Sequence, residues 1–92
     1  MMPVHPGRLL KGELAERGLS ANQLALALRV PSGRITDILN GQRGISADTA
    51  LRLSAFFGNS AEFWMTLQTQ YELALERKKH GKKIAAEVGK AA

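Results

Sequence analysis

Residues 19–58 read LSANQLALALRVPSGRITDILNGQRGISADTALRLSAFFG, and the capping residues inside this stretch decide the fold. Ser20 is suited to cap a helix, and Gln23 can reach back to complete a capping box. Leu24, Ala25 and Leu28 then share one face of a 3.6-residue period, with Ala25 small where a second helix must cross closely. A residue before proline is pushed out of the α region, so Val30-Pro31 ends this helix at about Arg29. After a short turn, Ser32 is expected to cap a second helix with Ile35, Ile38 and Leu39 as its buried stripe and Asn40-Gly41 as a left-handed stop. Two short helices in this order and spacing are expected to form a helix-turn-helix DNA reader.

That stripe leaves Ser32, Gly33, Arg34, Thr36 and Asp37 facing outward. When the second helix of such a pair lies in the major groove, its first turn meets the base edges. Arg34 offers a planar fork for guanine O6 and N7, Ser32 can donate or accept, and Gly33 has no side chain to hold the backbone away. Asp37 can accept from a cytosine amino group or orient Arg34. The plainer alternative is an i, i+3 surface ion pair between Arg34 and Asp37, worth a few tenths of a kcal/mol.

The flanks read as helices too. Pro6 suits a first helical position, and Leu9, Leu10 and Leu14 form an inward stripe that ends at Gly18. Ser46 caps another helix, with Asp48 complementing its dipole and Ala50, Leu53 and Phe57 inward until Gly58. Ser60 caps the last, where Phe63, Trp64, Leu67, Tyr71, Ala74 and Leu75 make a stripe running to about Glu76. That is more apolar surface than one small core needs. A two-fold contact is therefore expected from Trp64, Leu67, Tyr71 and Leu75, with Phe63 and Leu67 turned more to the core and Trp64 and Tyr71 more to the partner. The alternative is that Phe63, Trp64 and Leu67 merely fold back onto the core of the other four helices.

Composition bounds the rest. Ninety-two residues make one small domain with little surplus stability, and no cysteine is present for disulfides or thiolate metal sites. No apolar run approaches the roughly 20 residues of a membrane span, and the start, MMPVHPG, lacks the basic and apolar parts of a signal peptide. A soluble, cytoplasmic chain is expected. The net charge of +5 is unevenly spread. Up to residue 76 acids and bases balance, and the excess lies in Arg77, Lys78, Lys79, Lys82, Lys83 and Lys90 against Glu87. Residues 1–76 are thus expected to form the domain, and 77–92 a mobile basic tail that is either a frayed end or a phosphate or partner contact. High net charge by itself says little about the DNA reader.

The HPG at His5, Pro6 and Gly7, the LALALRV of the first reader helix, NGQRGISADTALRL from Asn40 to Leu53 and SAEFWMTLQTQYEL from Ser60 to Leu73 resemble the HigA-type, or VapI-like, antitoxins. These are a branch of the Xre/Cro-repressor helix-turn-helix superfamily, and the resemblance runs from about His5 to Leu75. It implies an all-α, five-helix, lambda-repressor-like domain that works as a homodimer on operator DNA with an inverted repeat. It also implies a protein partner, a small mRNA-cleaving toxin of the HigB/RelE type, and repression of the operon encoding both. By position, base contacts fall on Ser32, Gly33, Arg34, Thr36 and Asp37. Phosphate contacts fall on Ser20, Ala21 and Gln23 and on the loop residues Asn40, Gln42 and Arg43. Two departures stand out: Arg29 occupies a turn position often held by glycine, and Gly33 replaces a side chain many relatives carry.

Other classes are weighed on the same residues. A stand-alone repressor would show the same reader and dimer. Acidic faces at Glu13, Glu16, Glu72 and Glu76 can oppose a cationic toxin or simply be solvated. An enzyme is not expected, because His5 and His80 lie at opposite ends and no serine sits in a nucleophile elbow. Gly41 and Gly44 lack the spacing of a phosphate-cradling loop. No cofactor or metal is expected.

Overall fold

The computed structural model describes residues 3–91; the first two residues of the MMPVHPG start and the last residue of the expected tail lie outside them. Five helices follow in order: α1 Pro6–Arg17, α2 Ala21–Leu28, α3 Ser32–Leu39, α4 Ala47–Phe57 and α5 Ala61–Glu87. There is no strand among the described residues.

Local chemistry sets most of the boundaries. Ser20 and Gln23 form the capping box, the hydroxyl accepting from Gln23 N at 3.0 Å and the amide oxygen from Ser20 N at 2.8 Å. Ser46 and Ser60 cap α4 and α5, and Gly18 and Gly58 end α1 and α4 in the left-handed conformation. At the head of α1 the His5 imidazole accepts from Gly7 N at 2.9 Å, with Pro6 in the first turn. Gly7 lies against the carbonyl of Ile38, where any Cβ would overlap backbone, so His-Pro-Gly is a cap, a start and a close approach between α1 and α3.

Leu10, Leu14, Leu24, Ala25, Leu28, Ile35, Ile38, Ile45, Ala50, Leu53 and Trp64 form one core. Five expectations need correction. Leu9 is 40% exposed, because its neighbours Leu10 and Leu14 already fill the inward face of α1. Ser32 is the first residue of α3, whose N-cap is Pro31 with no side-chain hydrogen bond: the proline's extended φ and ψ end the turn one residue early. The left-handed residue after α3 is Gly41 alone, at φ +74°, with Asn40 at φ −85°.

The fourth correction concerns α5. It continues past Glu76 to Glu87, because the Lys, Ala and Glu of the basic segment are good helix formers and only Gly81 is a poor one. Its 27 residues span about 40 Å at 1.5 Å each, and its far end gives the molecule extents of 51 × 22 × 22 Å.

The stripe of α5 also faces otherwise than expected. Trp64 is fully buried and its indole N–H donates to Asn59 Oδ1 at 2.9 Å, whereas Phe63 is 42% exposed. Trp64 therefore has no surface to offer a partner. Leu67 packs against the core, Tyr71 meets the edge of His5 at 4.9 Å, and Leu75 is half-buried.

Candidate nucleic-acid interface

The helix-turn-helix is α2 and α3. Between them Arg29 adopts φ +58°, the one non-glycine residue with positive φ among those described. Its N–H donates to Leu26 O, and Val30 N donates to Ala25 O, so the tight turn is hydrogen-bonded despite lacking glycine. On the carbonyl side Arg52 of α4 donates from Nη1 to Leu28 O at 2.8 Å, occupying an end carbonyl of α2.

Beyond that turn α3 buries Ile35 and Ile38 and presents Ser32, Gly33 and Thr36 to solvent, with Arg34 and Asp37 half-exposed. Nothing lies within 4 Å of the Cβ position at Gly33, so its backbone stands open. The Thr36 hydroxyl donates to Ser32 O at 3.1 Å. Arg34 and Asp37 do not pair with each other. Arg34 Nη1 donates to Asp48 Oδ2 at 2.6 Å, and Asp37 Oδ2 stands 3.4 Å from Arg43 Nη2. The alternative i, i+3 pair gives way to two contacts outside α3, because each side chain has a partner its own helix cannot supply.

Asp48 is the hub of the reader's edge. Its Oδ2 also accepts from Arg52 Nε at 2.9 Å, and these two guanidiniums, Arg52 first and Arg34 second, hold its carboxyl below the usual carboxylate range. Asp48 was legible only as a dipole-complementing acid in the first turn of α4; its link to Arg34 spans two helices and leaves no local signal. Arg52 carried no signal beyond its charge.

The positions for phosphate contacts flank α3. Ser20, Ala21 and Gln23 form the N-cap and first turn of α2, where capping commits Ser20 Oγ and Gln23 Oε1 while Gln23 stays exposed. Asn40, Gln42 and Arg43 lie exposed on the loop after α3, and Gln42 N donates to Asp37 O at 2.8 Å. That loop is fixed from beneath by Gln68 of α5, a buried polar residue that the sequence reading did not single out. Its Oε1 accepts from Ile45 N at 2.8 Å and its Nε2 donates to Glu72 at 3.1 Å. A Cβ at Gly44 would fall 2.7 Å from Gln68 Nε2, so the loop passes directly over the amide.

Elsewhere the titratable side chains serve structure. Burial lowers the His5 imidazole below its ordinary value, while a hydrogen bond with the Arg43 backbone acts the other way. Glu13 pairs with Arg17 and Glu76 with His80 within their own helices. No group of His, Asp or Glu able to hold a metal is present among the described residues.

A family model described as Helix-turn-helix matches residues 10–64. The chain is similar to an addiction-module antidote protein of the HigA family from Coxiella burnetii, with 52% identity and a TM-score of 0.95 over 99% of this chain and 100% of that one. It is similar to the Pseudomonas aeruginosa antitoxin HigA, solved with the higBA promoter, at 45% identity and a TM-score of 0.94 over 98% and 99% of the two chains. Virulence-associated protein I of Dichelobacter nodosus is 50% identical over 76 residues, 82% of this chain and 70% of that protein.

Proposed function

This chain belongs to the HigA family of helix-turn-helix proteins, and from that premise we propose that it is a dimeric antitoxin that represses its own operon and neutralises a small HigB/RelE-type RNase. The DNA-binding half of the reading is carried by one observation: the first turn of α3 presents Ser32, Gly33 and Arg34 outward while Ile35 and Ile38 anchor it in the core. Base contact is assigned to these three with Thr36 and Asp37. Phosphate contact is assigned to Ser20, Ala21, Gln23, Asn40, Gln42 and Arg43. With acids and bases balanced up to residue 76, binding rests on such contacts more than on a long-range field. Action on DNA sets the protein in the cytoplasm, and no helix among the described residues is long and apolar enough to cross a membrane.

The far end of α5 supports the dimer. A helix end that projects without a partner is marginal in water, and here it carries exposed Leu73 and Ile84 along one side, with exposed Val88 just past its last residue. A shallow apolar groove lined by Leu73, Glu76, Arg77, Gly81, Ile84 and Ala85 runs between the first two. Its glycine permits close approach of a second helix, so the two-fold contact is assigned to this stretch and moved off Tyr71 and Leu75, which lie on the opposite side of the helix, Tyr71 against His5.

The toxin partner is carried over from the relatives' role as antidote and antitoxin, and tested by co-expression with the product of the adjacent gene. The expected result is a co-purifying complex with a small basic protein, together with binding of the shared promoter. Promoter binding without any co-purifying partner would leave a stand-alone repressor. Absence of promoter binding would overturn the reader assignment itself.

A further inference from the structure

We propose that Asp48 is a positioning residue that determines sequence specificity, holding Arg34 to one base edge and away from the phosphates. The inference rests on the DNA-reading assignment of α3. Arg34 touches Asp48 through Nη1 alone among the described residues, so its Nε and Nη2 edge carries no protein partner. That edge is a two-donor fork of the kind that grips guanine O6 and N7. Arg52 braces the carboxylate from the other side at 2.9 Å and is itself anchored on Leu28 O at 2.8 Å. The last turn of α2, the first turn of α3 and the first turn of α4 thus lock one guanidinium in place.

The consequence is selectivity. A free arginine on an exposed helix end swings to whichever phosphate is near, which strengthens binding to every sequence alike. Held by a carboxylate, the same side chain is partly neutralised towards phosphates and keeps one orientation towards a base. Arg34 is 28% exposed in its side chain and Asp48 is 56% exposed, so the pair sits at the surface where a duplex would meet it.

The test uses the full chain, a duplex that it enriches from a randomised pool, and a scrambled duplex of equal length. Asp48→Asn is expected to raise affinity for the scrambled duplex, to lower the ratio of the two affinities about tenfold, and to steepen the salt dependence on the scrambled duplex by about one ion. Asp48→Glu is expected to restore most of the ratio. Both affinities come from one sample, so any loss of folded protein cancels in the ratio. In an Arg34→Ala background, Asp48→Asn is expected to leave the ratio unchanged. An Asp48→Asn effect that persists without Arg34 would mean plain charge repulsion and overturn the proposal, as would an unaltered ratio in the single variant. A wild-type chain that enriches no duplex overturns the DNA reading itself and the proposal with it.

Discussion

Arg34 and Asp48 stand fourteen residues apart and meet at 2.6 Å, joining the exposed first turn of α3 to the first turn of α4. The pair is exposed, so it adds little to stability, on the order of 0–1 kcal/mol. Its weight falls on recognition. Arg34→Ala is expected to leave the melting temperature nearly unchanged while weakening binding to the enriched duplex by about 1–3 kcal/mol, with preference relaxed at one base pair per half-site. Competition binding against single-base variants measures this. Equal weakening on all sequences, with a shallower salt slope, would make Arg34 a phosphate contact instead.

Two glycines give opposite expectations. At Gly7 an added Cβ would overlap the Ile38 carbonyl oxygen and lie 2.8 Å from the Ile38 carbonyl carbon, both backbone atoms that cannot turn aside. Gly7→Ala is expected to destabilise by about 1–3 kcal/mol or more in urea unfolding. At Gly33 the Cβ position is open. Gly33→Ala is expected to stabilise by up to about 1 kcal/mol and yet weaken operator binding, because the methyl group meets the groove. Unchanged affinity in that variant would remove Gly33 from the reading surface.

Arg29 holds a left-handed conformation at φ +58°, which costs an L side chain about 1–2 kcal/mol. Replacing it with glycine relieves that strain but loosens the unfolded chain. The net expectation for Arg29→Gly is a gain of up to about 1 kcal/mol, read from the urea midpoint at constant m-value. A loss would show that the arginine's own contacts outweigh the strain.

The His5 imidazole caps α1 as an acceptor, and burial lowers it below its unfolded value of 6.5. Protonation removes the acceptor that Gly7 N uses. Because the folded value is the lower one, the unfolded chain takes up the proton first as pH falls. The contribution is therefore complete above pH 6.5 and fades as pH drops through 6.5 towards the folded value. His5→Asn keeps a capping oxygen and cannot titrate. Unfolding free energy measured from neutral to mildly acidic pH is expected to fall more steeply for the wild type than for this variant; parallel curves would remove the role.

What the sequence could reveal followed the range of each interaction. Caps are local, so Ser20 with Gln23, Gly18, Ser46, Gly58 and Ser60 marked helix ends where the structure has them. Contacts between elements left no such trace: Asp48 with Arg34, Arg52 with Leu28 O, and Gln68 with Ile45 N each join residues at least fourteen positions apart. The choice between Phe63 and Trp64 failed for a related reason. Both are apolar neighbours on a wide stripe, and what separates them is not local: Trp64 packs in the core with its indole N–H satisfied by Asn59.

That reversal changes how a dimer test must be built. Trp64→Glu would bury a charge in the centre of the core, so it is expected to unfold the chain, and loss of dimer in it would carry no information about the interface. Ile84 is 48% exposed on the projecting part of α5, lines the groove with Leu73 and Gly81, and is not packed against the core cluster. Ile84→Glu is therefore expected to keep the helical circular dichroism of the core while halving the mass seen in sedimentation, with weaker operator binding because two half-sites no longer act together. Salt separates this from the basic charge of the same segment. A dimer held by apolar contact persists in high salt, whereas any contact that Lys79, Lys82 and Lys83 make with phosphates fades. An Ile84→Glu chain that sediments as the wild-type dimer would take the interface off this stretch of α5.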